Sequence, residues 1–481
     1  MRHDPQIMDY EPVTHPGETP ISEEEFMGRR FEKNPSDPDL GPAKPAPISL
    51  PARELAREKH EKKPLLKRGH AVSFAGLFLF TFVVYFRPQE VYPSLLFLKN
   101  IAFWLALFTL VFYVPTQLAL EGRLSAKQRE VTCVLFLIIA SLVSVPLALD
   151  PQLAWNSFID YLKVVVMFVV MVNVVRTEKR LKALIVLALA ASCVMSAAAV
   201  NDYRLGHLLQ NQVRIEGLIG GLFGNANDLA LHLVTMIPIA LGLCLGARGV
   251  LKKVIFLPCA ILFVAGVVAT FSRGGFLSLV CVMAALAWRL ARRNRVLFLT
   301  GGLALVLLVV VVGPGGYRDR LSERTDPSAV ARTDELKRSV FLMIRHPLFG
   351  LGINNYILFS NSSHASHNAY TQVGSEIGIP GMIVYIMFLI TPLKRLREVR
   401  RRNVDQPRGR LYYLGVGVEA SLIGYMVASF FLSVAYLWYV YYLVAYAITI
   451  SRLLDVPVES PAAKSISQTL PARSTVLEPN A

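Results

Sequence analysis

The chain has 481 residues, 54% hydrophobic and only 17% charged, where a soluble protein of this length carries about 25% charge. Apolar runs close to the ~20 residues needed to cross a bilayer recur from residue 71 to residue 453, which excludes a soluble protein and predicts an all-α, polytopic membrane protein. The formal charge of +16 comes from basic residues clustered between the runs, the pattern of membrane proteins, so it is no sign of nucleic-acid binding.

In chain order, residues 1–70 come first, rich in Pro and charge and ending in a basic stretch at 53–68. They read as a disordered cytoplasmic tail with no cleavable signal peptide. About twelve spans follow, near 71–86, 94–115, 131–148, 157–175, 181–200, 229–246, 254–271, 275–290, 296–313, 379–393, 411–431 and 433–452. The membrane domain is thus 71–453, with a second cytoplasmic tail at 454–481. The five cysteines, Cys133, Cys193, Cys244, Cys259 and Cys281, fall inside spans without a CxxC neighbour, so packing explains them better than disulfides or zinc.

Placing the basic tail in the cytoplasm puts "EGRLSAKQRE", "RTEKRLK", "ARGVLKK", "RLARRNR" and "KRLREVRRRNVDQPRGR" inside as well. Every one is basic, as the positive-inside rule requires. Both termini are then cytoplasmic. The longest external loop, about 314–378, is too long for a mere connector. Arginines on the external side run against the topological bias, and an anionic ligand would repay them, because guanidinium matches phosphate bidentately.

"TFSRGGFLSL" puts Arg273 where span 7 emerges, followed by a Gly pair. It suits an arginine binding a lipid-linked pyrophosphate, or one that snorkels to the interface. "RIEGLIGGLFGNANDLALHL" adds Arg214, with Asn227 or Asp228 as a helix cap. In "ARTDELKRSVFLMIRHPLFGLGINNY" the residues Leu336, Val340, Met343 and Ile344 share the face of an amphipathic helix or lid. Arg332 at its start opposes the helix dipole and so calls for a ligand, while Arg338 and Arg345 read as solvated. "HNAYTQVGSEIGIPG" reads as a short helix capped by Ser366, with His367, Tyr370 and Gly374 on one face. His367 can take a proton from a sugar hydroxyl, although a lone histidine is more often structural. His364 and His346 follow on the same logic. Glu376 is read as orienting a substrate or capping backbone amides. Lys163 and Glu419 lie within spans, where a charge marks a functional site. Lys163 could join the phosphate site, and Glu419 could instead pair with an arginine.

Together these four segments resemble the O-antigen ligase and polysaccharide polymerase superfamily, over roughly residues 130–450. The resemblance implies a GT-C-like, metal-independent, inverting glycosyltransferase without cofactors. Such an enzyme works on the periplasmic face of the bacterial inner membrane. Its partners would be the bilayer, an undecaprenyl-pyrophosphate-linked glycan, and an acceptor that is either lipid A core or a second lipid-linked glycan. By position, the family's essential arginines and histidine fall on Arg273, Arg332 and His367, with Arg214 a fourth; Lys163 and Glu376 are further substrate-binding candidates from the residues themselves. Ligase and polymerase readings stay open. A flippase or secondary transporter is a third reading, disfavoured because the polar groups lie in external loops rather than in broken helices at midplane.

Overall fold

The structure, a computed structural model, describes residues 70–88, 94–95, 100–126, 128–206, 215, 225–290, 327–360, 366–402 and 409–455. The two tails, the ninth expected span, Arg214 and His364 lie outside the described residues. Among those described there are twelve α-helices and no strand: α1 Ala71–Phe86, α2 Ile101–Glu121, α3 Arg129–Ser144, α4 Pro151–Val174, α5 Glu178–Leu205, α6 Ala226–Leu245, α7 Val250–Ala269, α8 Arg273–Arg289, α9 Pro327–Arg345, α10 Ala369–Arg402, α11 Arg410–Ala428 and α12 Trp438–Leu454. Seven of them, α2, α4, α5, α6, α7, α10 and α11, are long and apolar enough to cross a membrane. The helices α1, α3, α8 and α12 have 16 or 17 residues. At 1.5 Å per residue they rise about 24–26 Å, short of the ~30 Å hydrocarbon layer.

Helix ends follow local chemistry. The Asp150 carboxylate accepts from the Gln152 and Leu153 amides, with Pro151 at the first helical position of α4. The Thr177 hydroxyl accepts from the Arg180 amide at the start of α5, and Gly206 ends that helix at φ 69°. α6, α11 and α12 make the centre of the bundle, and in α12 every residue from Tyr439 to Ser451 is buried. Close approach of α6 and α11 depends on glycine: a Cβ on Gly417 would stand 2.4 Å from the Pro238 carbonyl oxygen, and one on Gly242 2.6 Å from that of Tyr413. At the periphery α2 and α7 expose Trp104, Val111, Val254 and Ile261, as helices apolar all round do against lipid.

Charge pairs join the helices at one end. Arg176 binds Glu121, Arg395 reaches Glu130 at 3.7 Å, and Arg452 Nη1 donates to the Val172 carbonyl at 2.6 Å. Glu419, fully buried in α11, takes Arg289 Nη2 at 2.8 Å and Arg397 Nε at 2.6 Å on one carboxylate oxygen and Arg400 on the other. Arg400 also lies over the Tyr412 ring, 5.8 Å from its centroid. Glu419 therefore ties α8 and α10 to α11, the structural alternative among the two sequence readings.

α10 is 34 residues long but not one continuous helix. It breaks at Gly378, with φ 88° and ψ 167°. Pro380 has no N–H for the Glu376 carbonyl, and Ile379 N turns away to Pro347 O at 2.8 Å. The loop 347–352 replaces what is lost: Leu351 N donates to Ser375 O at 2.8 Å and Gly352 N to Glu376 O at 2.9 Å. Such a break is tolerable at membrane depth only when protein satisfies it. Leu348 lies against it so closely that a Cβ on Gly378 would be 2.2 Å from its carbonyl oxygen.

Candidate functional site at one end of the bundle

The end opposite the charge pairs carries a small cleft of about 10 Å³, lined by polar and apolar residues, Leu231 and Ala428 among the latter. The α7–α8 turn builds its floor. Phe271, buried, adopts φ 51°, a left-handed conformation rare for an aromatic residue, and observed strain of this kind clusters at functional sites. Ser272 then caps α8, accepting from Gly275 N at 3.2 Å, and Arg273 opens the helix. From α6, Asn227 Oδ1 accepts the Ser272 hydroxyl at 2.8 Å. The cleft is lined by Asn227, Ser272, Gly274 and Gly275, by Arg332 of α9, and by Phe431 and Leu432 just after α11. Arg273, half-buried, stands between two lining residues. Thus the structure brings Arg332 to the turn that carries Arg273, although some 60 residues separate them in the chain.

His367 stands outside α10, half-buried, at φ 52°. This corrects the expected helix: Asn368, not Ser366, caps α10, accepting from Tyr370 N at 2.9 Å and Thr371 N at 3.0 Å, so His367 shares no helical face with Tyr370 and Gly374. Both its neighbours are fastened to the α11–α12 connector. Ser366 Oγ is 3.1 Å from Ser433 Oγ, and Asn368 Nδ2 donates to Phe430 O at 3.0 Å. Tyr370 OH adds a bond to Met426 O at 2.7 Å. The connector that anchors His367 is the one whose Phe431 and Leu432 wall the cleft.

α9 couples Arg332 to the same region. Glu335 of α9 accepts the Tyr356 hydroxyl at 2.6 Å and the Ser360 hydroxyl at 2.9 Å, folding the 3-10 turn Asn355–Phe359 back on it. Burial, and then the Glu335 carboxylate, push the Tyr356 hydroxyl pKa well up. Ser339 Oγ donates to Thr371 Oγ1 at 2.9 Å, joining α9 to α10. The buried stripe of α9 is Glu335, Ser339 and Leu342, whereas Leu336, Val340 and Met343 of the expected apolar face are half-buried and Ile344 is exposed. The loop's own polar partners, rather than its apolar residues, set the rotation. Arg338 is not merely solvated, since its Nη1 donates to Phe359 O at 2.6 Å, while Arg345 is exposed.

The remaining expectations fall elsewhere. Lys163 pairs with Asp160 at 2.8 Å on an exposed face of α4 and does not line the cleft; a lysine with a carboxylate three residues back is satisfied locally. Glu376, in the outer part of α10, is buried near the Asn354 backbone and Tyr436 and does not line the cleft. His346 is exposed. Asn225, not Asn227 or Asp228, caps α6 through the Asn227 amide at 2.9 Å. Sequence reasoning missed the connector at 429–437, which it treated as a boundary between spans; its hint was the serine pair in "SFFLS".

Fold and cleft together define a multi-pass membrane protein, all-α among the described residues, with a cleft lined by Asn227, Ser272 and Arg332 at the end of the bundle opposite the charge pairs. Within it, residues 258–386 match the family model described as O-Antigen ligase. The matched stretch contains Arg273, Arg332, His367 and Glu376, and it supports the resemblance to the O-antigen ligase superfamily and an activity of the ligase or polymerase kind. No curated protein matches the chain.

Proposed function

We propose that this chain transfers a glycan from undecaprenyl pyrophosphate to an acceptor at the periplasmic face of the bacterial inner membrane, as an O-antigen ligase-like enzyme. The observation that carries the reading is the cleft, which combines Arg332 with the Ser272–Gly275 turn and the connector that anchors His367. Arg273, Arg332 and Arg214 hold the pyrophosphate, and Glu376 supports the outer part of α10. The hydroxyl oxygen of the acceptor attacks the anomeric carbon, the bond to the pyrophosphate oxygen breaks, and undecaprenyl pyrophosphate leaves. His367 takes the hydroxyl proton. Attack opposite the leaving group inverts the anomeric centre. The guanidinium groups supply the countercharge for the leaving group, so the step is metal-independent. The acceptor is the lipid A core. α9 exposes Phe341 and Ile344, and the following loop Leu348 and Phe349, an apolar surface suited to the outer leaflet where such a glycolipid lies.

The test is Arg273→Lys, which keeps the charge and loses the planar fork. In nanodiscs supplied with lipid-linked glycan and acceptor, the variant is expected to lose most of its transfer activity at normal expression. Full activity would reduce Arg273 to a charge at the interface.

The architecture in this reading is a GT-C-like domain at 71–453 with twelve spans, an external loop at about 314–378 and cytoplasmic tails at 1–70 and 454–481. Ser363→Cys should then react with an impermeant thiol reagent in intact spheroplasts, and Asp405→Cys should not. The reverse pattern would turn the site to the cytoplasm.

A further inference from the structure

The "GNAND" segment contains one polar side chain that the proposed chemistry leaves unused. Asn225 caps α6, so Asn227 is released from that duty. Its Oδ1 accepts the Ser272 hydroxyl at 2.8 Å. Ser272 is only 2% exposed, and its Oγ already accepts from Gly275 N at 3.2 Å. A buried hydroxyl proton needs an acceptor, and among the described residues Asn227 Oδ1 is the one in reach. Turning the amide over would present N–H to a hydroxyl already accepting one and strand its proton. The order Gly275 N–H to Ser272 O–H to Asn227 Oδ1 therefore fixes the amide. Asn227 Nδ2 keeps two N–H donors, with no acceptor among the described residues, in a residue that lines the cleft with Arg332. Neighbouring Asp228, whose carboxylate would repel an anion, lies within electrostatic reach of Tyr439 in α12.

A donor-only group in a cleft that Arg332 also lines fits an oxyanion. We infer that Asn227 is a substrate-binding residue, whose amide N–H groups bind a pyrophosphate oxygen of the lipid-linked donor alongside Arg332. This rests on the proposed function.

The competing role is that Asn227 only braces Ser272. Asn227→Asp separates the two, since a carboxylate still accepts the Ser272 hydroxyl but offers the anion no donor and a repelling charge. The experiment measures undecaprenyl pyrophosphate binding to the full chain in nanodiscs, with transfer kinetics alongside. Asn227→Ala should weaken binding about tenfold, as for loss of a hydrogen bond to a charged group. Asn227→Asp should weaken it further, by about 100-fold, because like charges meet. KM for the donor should rise more than kcat falls. Wild-type binding by Asn227→Asp overturns the inference. Should that variant fail to fold, wild-type binding by Asn227→Ala overturns it equally, because Ser272 can still cap Gly275 there. Arg332→Ala and Arg273→Ala run in parallel. If those two also bind like wild type, the cleft is not the donor site and the proposed function falls with it. If they lose affinity while the Asn227 variants keep it, the Asn227 inference falls alone.

Discussion

Replacing His367 should stop glycan transfer while the lipid-linked donor still binds. The imidazole is assigned to the acceptor hydroxyl, and loss of a positioned base lowers the rate roughly 10²- to 10⁴-fold. The backbone offers a control that separates chemistry from structure. His367 sits at φ 52°, where asparagine and glycine are at ease and most residues are not. His367→Asn and His367→Gly should therefore fold at least as well as the parent and yet fail in transfer, as His367→Ala does. Transfer and donor binding measured side by side in nanodiscs decide the matter. Near wild-type transfer by His367→Asn would make the residue a turn former. Loss of donor affinity as severe as in Arg273→Ala would move it into the pyrophosphate site.

The largest stability effect is expected at Glu419. Three guanidiniums converge on this fully buried carboxylate. Glu419→Leu leaves them to repel one another in a medium that screens poorly, and breaking a buried pair from one side costs about 3–5 kcal/mol. The unfolding transition in detergent should drop accordingly, and Glu419→Gln, which retains hydrogen-bonding oxygen, should fall less. Adding Arg400→Met to Glu419→Leu should restore part of the loss, since Arg400 is the most buried of the three. Unchanged unfolding in Glu419→Leu would mean that the cluster contributes nothing to stability.

What was readable in the sequence is what depends on neighbours along the chain. Helix positions follow from the length and composition of apolar runs, and α1 coincides with its expected range of 71–86. The arginines stood out because basic residues in segments read as external run against the topological bias, and the histidine because an imidazole can take a proton near neutral pH. What was unreadable depends on partners far away. A short helix leading into a span near 379 was readable and agrees with the break at Gly378, but nothing local says that Gly352 N will serve the Glu376 carbonyl. Two asparagines two residues apart both suit a helix cap, and only the backbone selects Asn225. The connector after α11 looked like a seam between spans until Asn368 and Ser366 were found bound to it. The pairing of Lys163 was also readable, since Asp160 sits one helical turn before it.

The splice at Gly378 has a consequence for how such proteins diversify. All three backbone bonds that carry α10 past its break come from residues 347–352, a short way upstream, and closing so local a loop costs little entropy. α9, the turn after it and the outer part of α10 therefore form a cassette that completes its own hydrogen bonding. It also packs into the bundle, through Ile353, Ala369, Val373 and Ile377 in the main core and through Asp150 N to Asn355 Oδ1 at 2.7 Å and the bonds to the connector. On the proposed function, acceptor preference would be exchanged between relatives as one contiguous insert, cut before α9 and after the break, and that insert would carry Arg332 of the donor site with it.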